Sequence, residues 1–122
     1  MNARPAVSYQ LVIEVTRSLR VRVGRLGTFE FAAGVYVYTG SARRNIEARI
    51  ARHERKSKPL RWHIDYLLAA RGVRILRVVR SGCAECALNR ATAGQIPIAG
   101  FGASDCRAGC GSHLRYLGVQ PG

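Results

Sequence analysis

Acidic residues are scarce in this chain, whose 122 residues include 7 aspartates and glutamates against 20 lysines and arginines. So few carboxylates allow the ligands of a metal site to be sought by elimination. The balance gives a net charge of +13 and an isoelectric point near 11.0. An acidic macromolecule is therefore the expected partner.

Long apolar runs are also absent. The chain has only short ones, such as residues 66–70, whereas a membrane-spanning helix needs about 20 apolar residues. The first ten residues, MNARPAVSYQ, lack the apolar core of a secretory signal. Without an internal repeat or a linker, we expect one domain over residues 1–122, with its core at about 8–117. We expect it in the cytoplasm and not at a membrane.

Arginine supplies all the positive charges except those of Lys56 and Lys58. The guanidinium group makes forked hydrogen bonds to phosphate, so a nucleic acid is the favoured partner, DNA first and RNA as an alternative. A plainer explanation is that the charge keeps a small protein soluble.

Hydrophobic periodicity predicts a small α/β fold. Alternating apolar residues predict strands at 8–15, 19–23, 28–31, 35–38 and 73–79, with a short final element at 114–117. Helices are predicted after Ser41, over 62–71 and over 83–93. This order predicts a small mixed or antiparallel sheet flanked by helices, in a single domain.

Residues 34–53, GVYVYTGSARRNIEARIARH, have the most informative local pattern. Tyr36 and Tyr38 lie on one face of the predicted strand, where they are either sheet aromatics or functional groups. Gly40 allows a turn or a close backbone approach. Ser41 is placed to cap the following helix.

The predicted helix places Arg49 and His53 on its inward face. The other arginines in and around the helix are expected to face water, and they are Arg43, Arg44, Arg52 and Arg55. Because an unpaired buried charge is costly, Arg49 needs an anionic partner or a ligand.

The segment Tyr38-Thr39-Gly40-Ser41, followed by Arg49 and His53, resembles the second half of the GIY-YIG nuclease motif. In that motif a Tyr-Ile-Gly turn leads into a helix with the catalytic arginine. Further blocks at residues 62–68, 85–88 and 100–106 resemble the small Uri-type endonuclease branch of the superfamily. The resemblance extends over about residues 9–116 and implies a GIY-YIG-like α/β fold.

Four of the seven carboxylates have ordinary explanations as exposed or ion-paired groups, and they are Glu14, Glu30, Glu47 and Glu54. Elimination leaves Asp65, Glu85 and Asp105 as candidate metal ligands. Glu85 matches the metal-binding glutamate of the superfamily. The resemblance therefore implies a single divalent cation at Glu85, Mg²⁺ or Mn²⁺.

The same resemblance implies a metal-dependent phosphodiesterase that acts as an endonuclease on DNA. Tyr9 corresponds to the tyrosine that takes a proton from water, and Tyr38 to the one that assists in orientation. Arg49 would stabilise charge on the phosphorane, and Glu85 would hold the metal.

Basic residues around the first helix are expected to contact the nucleic acid backbone. They are Arg43, Arg44, Arg52, His53, Arg55, Lys56 and His63, with His53 either contacting phosphate or only packing the helix. No segment resembles a base-reading helix, so branched, otherwise structured or single-stranded DNA is a better expectation than a defined sequence. A partner enzyme of DNA repair that delivers the substrate would fit this role.

The four cysteines and a late histidine suggest a zinc site. Cys86, Cys106, Cys110 and His113 are the preferred ligands, with Cys83 as an alternate. A disulfide or reduced, packed thiols are the alternatives. A competing hypothesis for the whole chain is a non-catalytic module that binds DNA or RNA and uses zinc as a structural ion.

Overall fold

The computed structural model describes residues 7–42, 44–55, 58–82, 89, 92, 94–98, 100–102 and 112–119. In chain order the described elements are β1 (Ser8–Val15), β2 (Leu19–Val23), β3 (Gly27–Phe31), β4 (Gly34–Ser41), α1 (Ile46–Glu54), α2 (His63–Ala69), β5 (Val73–Ser81) and β6 (Leu114–Gly118). A short 3-10 turn, Gly24–Leu26, joins β2 to β3. The predicted single-domain α/β fold is confirmed. Most of the third predicted helix, at 83–93, lies outside the described residues.

Four strands form one antiparallel sheet in the order β5-β1-β4-β6, and β2 pairs with β3 as a separate hairpin. Register in the sheet places Tyr9 opposite Gly40 and Leu11 opposite Tyr38. Because β1 and β4 are the two central strands, Tyr9 and Tyr38 both lie on strands that have a neighbouring strand on each side.

The main core lies on one face of this sheet, where β1 places Leu11, Ile13 and Val15 and β4 places its tyrosines. Its buried members from the sheet include Leu11, Ile13 and Tyr36, and the hairpin adds Phe31. The two helices cover this face with Ile50, Ile64, Leu67 and Leu68. Burying each such aliphatic side chain stabilises the fold by roughly 1.5–3 kcal/mol. The core therefore fixes the two helices against the tyrosine face. On the opposite face of the sheet Val12 forms a smaller buried cluster with Val35 and Val37.

The start of α1 differs from the prediction. Its N-cap residue is Asn45, in the left-handed conformation with φ 52°, and no side chain caps the helix. Ser41 is the last residue of β4 and pairs with Ser8. The prediction that Ser41 caps α1 is wrong, because strand pairing continues through this residue and the helix begins only at Ile46.

The second helix is shorter than predicted, His63–Ala69, and the carboxylate of Asp65 lies in its first turn. Oδ2 of Asp65 accepts hydrogen bonds from the backbone N–H groups of Arg61 and Trp62, at 2.8 and 2.9 Å, as acidic residues in a first helical turn commonly do. Among the described residues, neither helix has the length or apolar character needed to cross a lipid bilayer.

Candidate active site around Tyr9 and His53

A buried tyrosine and a buried histidine form the centre of the candidate site. Tyr9, near the start of β1, is 1% exposed, and His53, in the last turn of α1, is 2% exposed. Tyr9 Oη lies 2.6 Å from His53 Nε2, a short hydrogen bond. The His53 ring therefore packs against the phenol of Tyr9. Its contact with phosphate stays a prediction.

The imidazole of His53 is neutral near pH 7. The pKa of His53 is lowered to about 4, mainly by burial. The nearby charges of Lys58, Arg52 and Arg49 contribute to this lowering, and Asp65 opposes it. A neutral imidazole with its proton on Nδ1 accepts the phenolic O–H at Nε2. In that tautomer Tyr9 donates and His53 accepts, and the low pKa makes the imidazole a weak base.

Gly40 provides the space that the phenol ring occupies. An alanine Cβ at this position would lie 2.6 Å from both Oη and Cζ of Tyr9. The backbone of Gly40 is not in the left-handed region, so alanine is excluded by contact alone. Of the two roles predicted for Gly40, a turn or a close approach to its backbone, the structure shows the close approach, by the ring of Tyr9.

Tyr38 completes the aromatic cluster from β4. Its ring centroid lies 6.0 Å from that of His53 and 6.4 Å from that of Phe101. Tyr9, Tyr38 and His53, which are distant in sequence, therefore meet at one end of the β1–β4 pair.

Arg49 lies one helical turn before His53 and is half-buried. Its Nη1 donates a hydrogen bond of 2.8 Å to the carbonyl of Ser41, and its guanidinium carbon lies 4.9 Å from the ring centroid of Trp62. Guanidinium has five N–H groups, and the carbonyl uses one. Its position is thus fixed by neutral groups, with donors remaining for an anion.

Arg52 is not the water-facing residue that the sequence predicted. Its side chain is 17% exposed and forms a two-pronged ion pair with the fully buried Asp65, at 2.9 and 3.0 Å. Burial would raise the pKa of Asp65, but hydrogen bonds from Arg52, Trp62 and Arg61 outweigh it and hold that pKa below its usual range. Helical spacing alone cannot show this pair, because it joins α1 to α2.

A family model described as a domain of unknown function, DUF123, matches residues 8–121. The chain belongs to the DUF123 family. Comparisons of the DUF123 chain with curated proteins and with solved structures gave no match. The family description assigns no activity, so a function has to be argued from the site.

The other predicted nucleic-acid contacts of the DUF123 chain are divided between surface and interior. Arg44 and Arg55 are exposed. His63 is half-buried, and its Nδ1 accepts a hydrogen bond of 2.9 Å from the backbone N–H of Gly102. Arg43 and Lys56 lie outside the described residues.

The predicted metal ligands fall mostly outside the described part of the DUF123 chain. The residues outside the described ranges are Glu85, Cys83, Cys86, Cys106 and Cys110. The zinc site therefore stays a prediction. His113 is described and buried; its backbone N–H donates to Phe101 and its carbonyl accepts from Thr39.

The described groups at the site do not by themselves fit Mg²⁺, which favours carboxylate oxygens and water. Oxygens of Asp65, the nearby carboxylate, are used by Arg52 and two backbone N–H groups. Within the described ranges, no three His, Cys, Asp or Glu side chains form a metal-binding group. The predicted ligand Glu85 lies outside the described residues.

Replacing Gly40 with alanine should lower the free energy of unfolding by about 1–3 kcal/mol, the usual cost of overpacking. The added methyl group has to displace the ring of Tyr9, which also breaks the hydrogen bond to His53. Urea denaturation measures the change. In a Tyr9→Leu background the same substitution should cost much less; an equal cost in both backgrounds would show that the ring is not what excludes alanine.

The His53 pKa also predicts a pH dependence of stability. Its value of about 4 lies below the usual 6.5, so the unfolded chain takes up a proton first as the pH falls. The contribution of His53 to the free energy of unfolding is fully present above the pKa of the unfolded chain. As the pH falls from 7.5 to 4.5, the free energy of unfolding should decrease by about 2–3 kcal/mol. Urea denaturation at both values tests this. Because His53→Gln lacks the titrating group, its free energy of unfolding should decrease less than that of the wild type, by about the same 2–3 kcal/mol. Equal decreases in the two proteins would show that His53 is not the group responsible.

Proposed function

We propose that this DUF123 chain is a divalent-metal-dependent endonuclease of the GIY-YIG type, close to the Uri branch, that hydrolyses phosphodiester bonds in DNA. The observation that supports it best is the buried Tyr9–His53 pair, with Oη 2.6 Å from Nε2, one helical turn from the guanidinium of Arg49. This arrangement offers a proton acceptor beside an anion-binding group, which phosphodiester hydrolysis requires.

Tyr9 takes the proton from the attacking water. A phenol with a pKa of about 10 is a poor base by itself. As the O–H bond of water breaks, the oxygen of Tyr9 gains that proton while its own proton passes to Nε2 of His53. Because the imidazole is neutral beforehand, the transfer never requires a free phenolate in the core.

Arg49 binds the phosphate group. Its free N–H groups match the geometry of two phosphate oxygens and stabilise the charge that builds up on them during attack. The carbonyl of Ser41 and the ring of Trp62 hold the guanidinium in place. This preorganisation lowers the cost of orienting the group during the reaction.

Glu85 is the residue predicted to hold Mg²⁺ or Mn²⁺. Such a cation, when bound, would polarise the phosphate and stabilise the leaving oxygen. The described residues perform the remaining tasks, which are proton transfer and phosphate binding.

The surface charges favour DNA without a defined sequence. Exposed arginines flank α1 at Arg44 and Arg55, and two more, Arg20 and Arg22, lie on β2. Contacts of this kind go to the phosphate backbone and supply affinity without base selection. Single-stranded or branched DNA is therefore the proposed substrate.

Cleavage of labelled single-stranded, duplex and branched DNA, with Mg²⁺, Mn²⁺ or EDTA, tests the proposal. Tyr9→Phe and Glu85→Ala should abolish metal-dependent cleavage and keep binding. Tyr66→Phe is the matched control, because it removes a phenolic hydroxyl that lies beside Gly24, in the turn between β2 and β3. Binding without cleavage under every metal would instead identify a non-catalytic binding module, and a preference for folded RNA at equal salt would indicate a role on RNA.

A further inference from the structure

Leu60 is an exposed apolar residue in the segment between α1 and α2. It is 43% exposed, and its neighbours in sequence include the positively charged Lys58 and Arg61. Single apolar residues are common on protein surfaces and by themselves indicate no function. Leu60 differs from such residues because the backbone on both sides of it is held in place.

The ion pair of Arg52 and Asp65 holds the backbone on both sides of Leu60. Before Leu60, the carbonyl of Pro59 accepts a hydrogen bond of 2.9 Å from Nη2 of Arg52, and the proline ring fixes its own φ. After Leu60, the next two backbone N–H groups donate to Oδ2 of Asp65, at 2.8 and 2.9 Å. The exposed leucine is therefore preorganised, so little further ordering is needed when a partner binds it.

Leu60 also lies near the arginine that is proposed to bind phosphate. Trp62 follows Leu60 by two residues, so their Cα atoms are at most about 7 Å apart. The guanidinium carbon of Arg49 lies 4.9 Å from the ring centroid of Trp62. Because a stacked DNA strand advances by about 3.4 Å per nucleotide, the bases next to a phosphate at Arg49 are within reach of Leu60.

We propose that Leu60 is a wedge that inserts into the base stack of DNA, beside the phosphodiester held at Arg49. This inference rests on the proposed function and narrows its substrate to DNA with an interrupted stack, such as a fork between duplex and single strands. An apolar wedge has to unstack a base step, and unstacking costs least where the stack is already broken. The apolar side chain suits the faces of bases, and the positive charges around it suit the flanking phosphates.

A forked DNA oligonucleotide with 2-aminopurine in the last base pair before the fork tests the insertion directly. The emission of 2-aminopurine is weak when the base is stacked and strong when it is unstacked, and EDTA prevents metal-dependent cleavage during the measurement. Wild-type protein should raise the emission at the fork severalfold and leave the same base in a continuous duplex nearly unchanged. An unchanged emission from fork DNA that is bound would overturn the inference.

Three substitutions make the result specific to Leu60. Leu60→Ala should lose most of the emission rise and bind the fork about tenfold more weakly, because an inserted leucine buries its apolar surface between bases. Leu60→Met keeps an apolar side chain of similar volume and should retain both properties. Leu76→Ala is the matched control, because Leu76 is 44% exposed and lies on the edge strand β5. Equal losses in the two alanine variants, or none in Leu60→Ala, would overturn the inference.

The two proposals fail in different ways. If the wild type unstacks the fork but cuts no DNA with any metal, the nuclease proposal falls and the wedge stands. If the wild type cuts DNA while Leu60→Ala unstacks the fork equally well, the wedge falls and the nuclease proposal stands. If the wild type binds no DNA, both fall.

Discussion

Replacing Arg49 with alanine should lower the cleavage rate by about 10²–10³-fold, the usual cost of removing one preorganised donor to a transition-state oxyanion. The guanidinium is half-buried between the carbonyl of Ser41 and the ring of Trp62, and that of the neighbouring Arg52 is paired with Asp65. Single-turnover cleavage of labelled DNA with saturating protein measures the effect separately from binding.

Two further variants make this result specific. Arg49→Lys keeps the charge but not the fork, so it should recover only part of the rate. Arg71→Ala removes the same charge from an exposed position after α2 and should cut DNA like the wild type. An equal loss in Arg49→Ala and Arg71→Ala would mean that net charge, and not a positioned guanidinium, is what matters.

Replacing Asp65 with alanine should lower the free energy of unfolding by about 3–5 kcal/mol, the usual cost of removing one partner of a buried ion pair. The carboxylate is fully buried and receives both prongs of Arg52. It also accepts the N–H groups that begin α2. Its loss leaves a largely buried guanidinium unpaired and loosens α2 from α1, which urea denaturation at neutral pH detects.

Glu47→Ala is the matched control for Asp65→Ala. Both changes remove one carboxylate from an ion pair with an arginine, but Glu47 and Arg80 meet at 2.6 Å on the surface, with side chains 66% and 43% exposed. Surface pairs contribute little to stability, so the denaturation midpoint should hardly move. A comparable loss in both variants would contradict the special role of the buried pair.

The sheet was predictable because its pattern arises from local physics. Leu11, Ile13 and Val15 alternate on the core face of β1, and the strand occupies the predicted residues, Ser8–Val15. The hairpin of β2 and β3 follows from the same alternation around a glycine turn. The periodicity of α1 placed Arg49 and His53 inward, and His53 is buried there.

The site's contacts were less predictable because their partners are distant in sequence. Tyr9 and His53 are 44 positions apart, and Arg52 and Asp65 are 13 apart on different helices. The acceptor of Arg49 is a backbone carbonyl, which no side-chain pattern reveals. The periodicity of one helix shows which face is inward, but it cannot show which polar group of the neighbouring element contacts that face.

Trp62 is the single tryptophan of the chain, and the guanidinium carbons of Arg49 and Arg52 lie 4.9 and 4.3 Å from its ring centroid. Its intrinsic fluorescence therefore reports from one place in the molecule, beside the proposed phosphate-binding arginine. A ligand that draws Arg49 away from the indole changes the quenching of that emission. Unlabelled protein thus contains its own optical probe, which also follows ligand binding in variants that do not cut DNA.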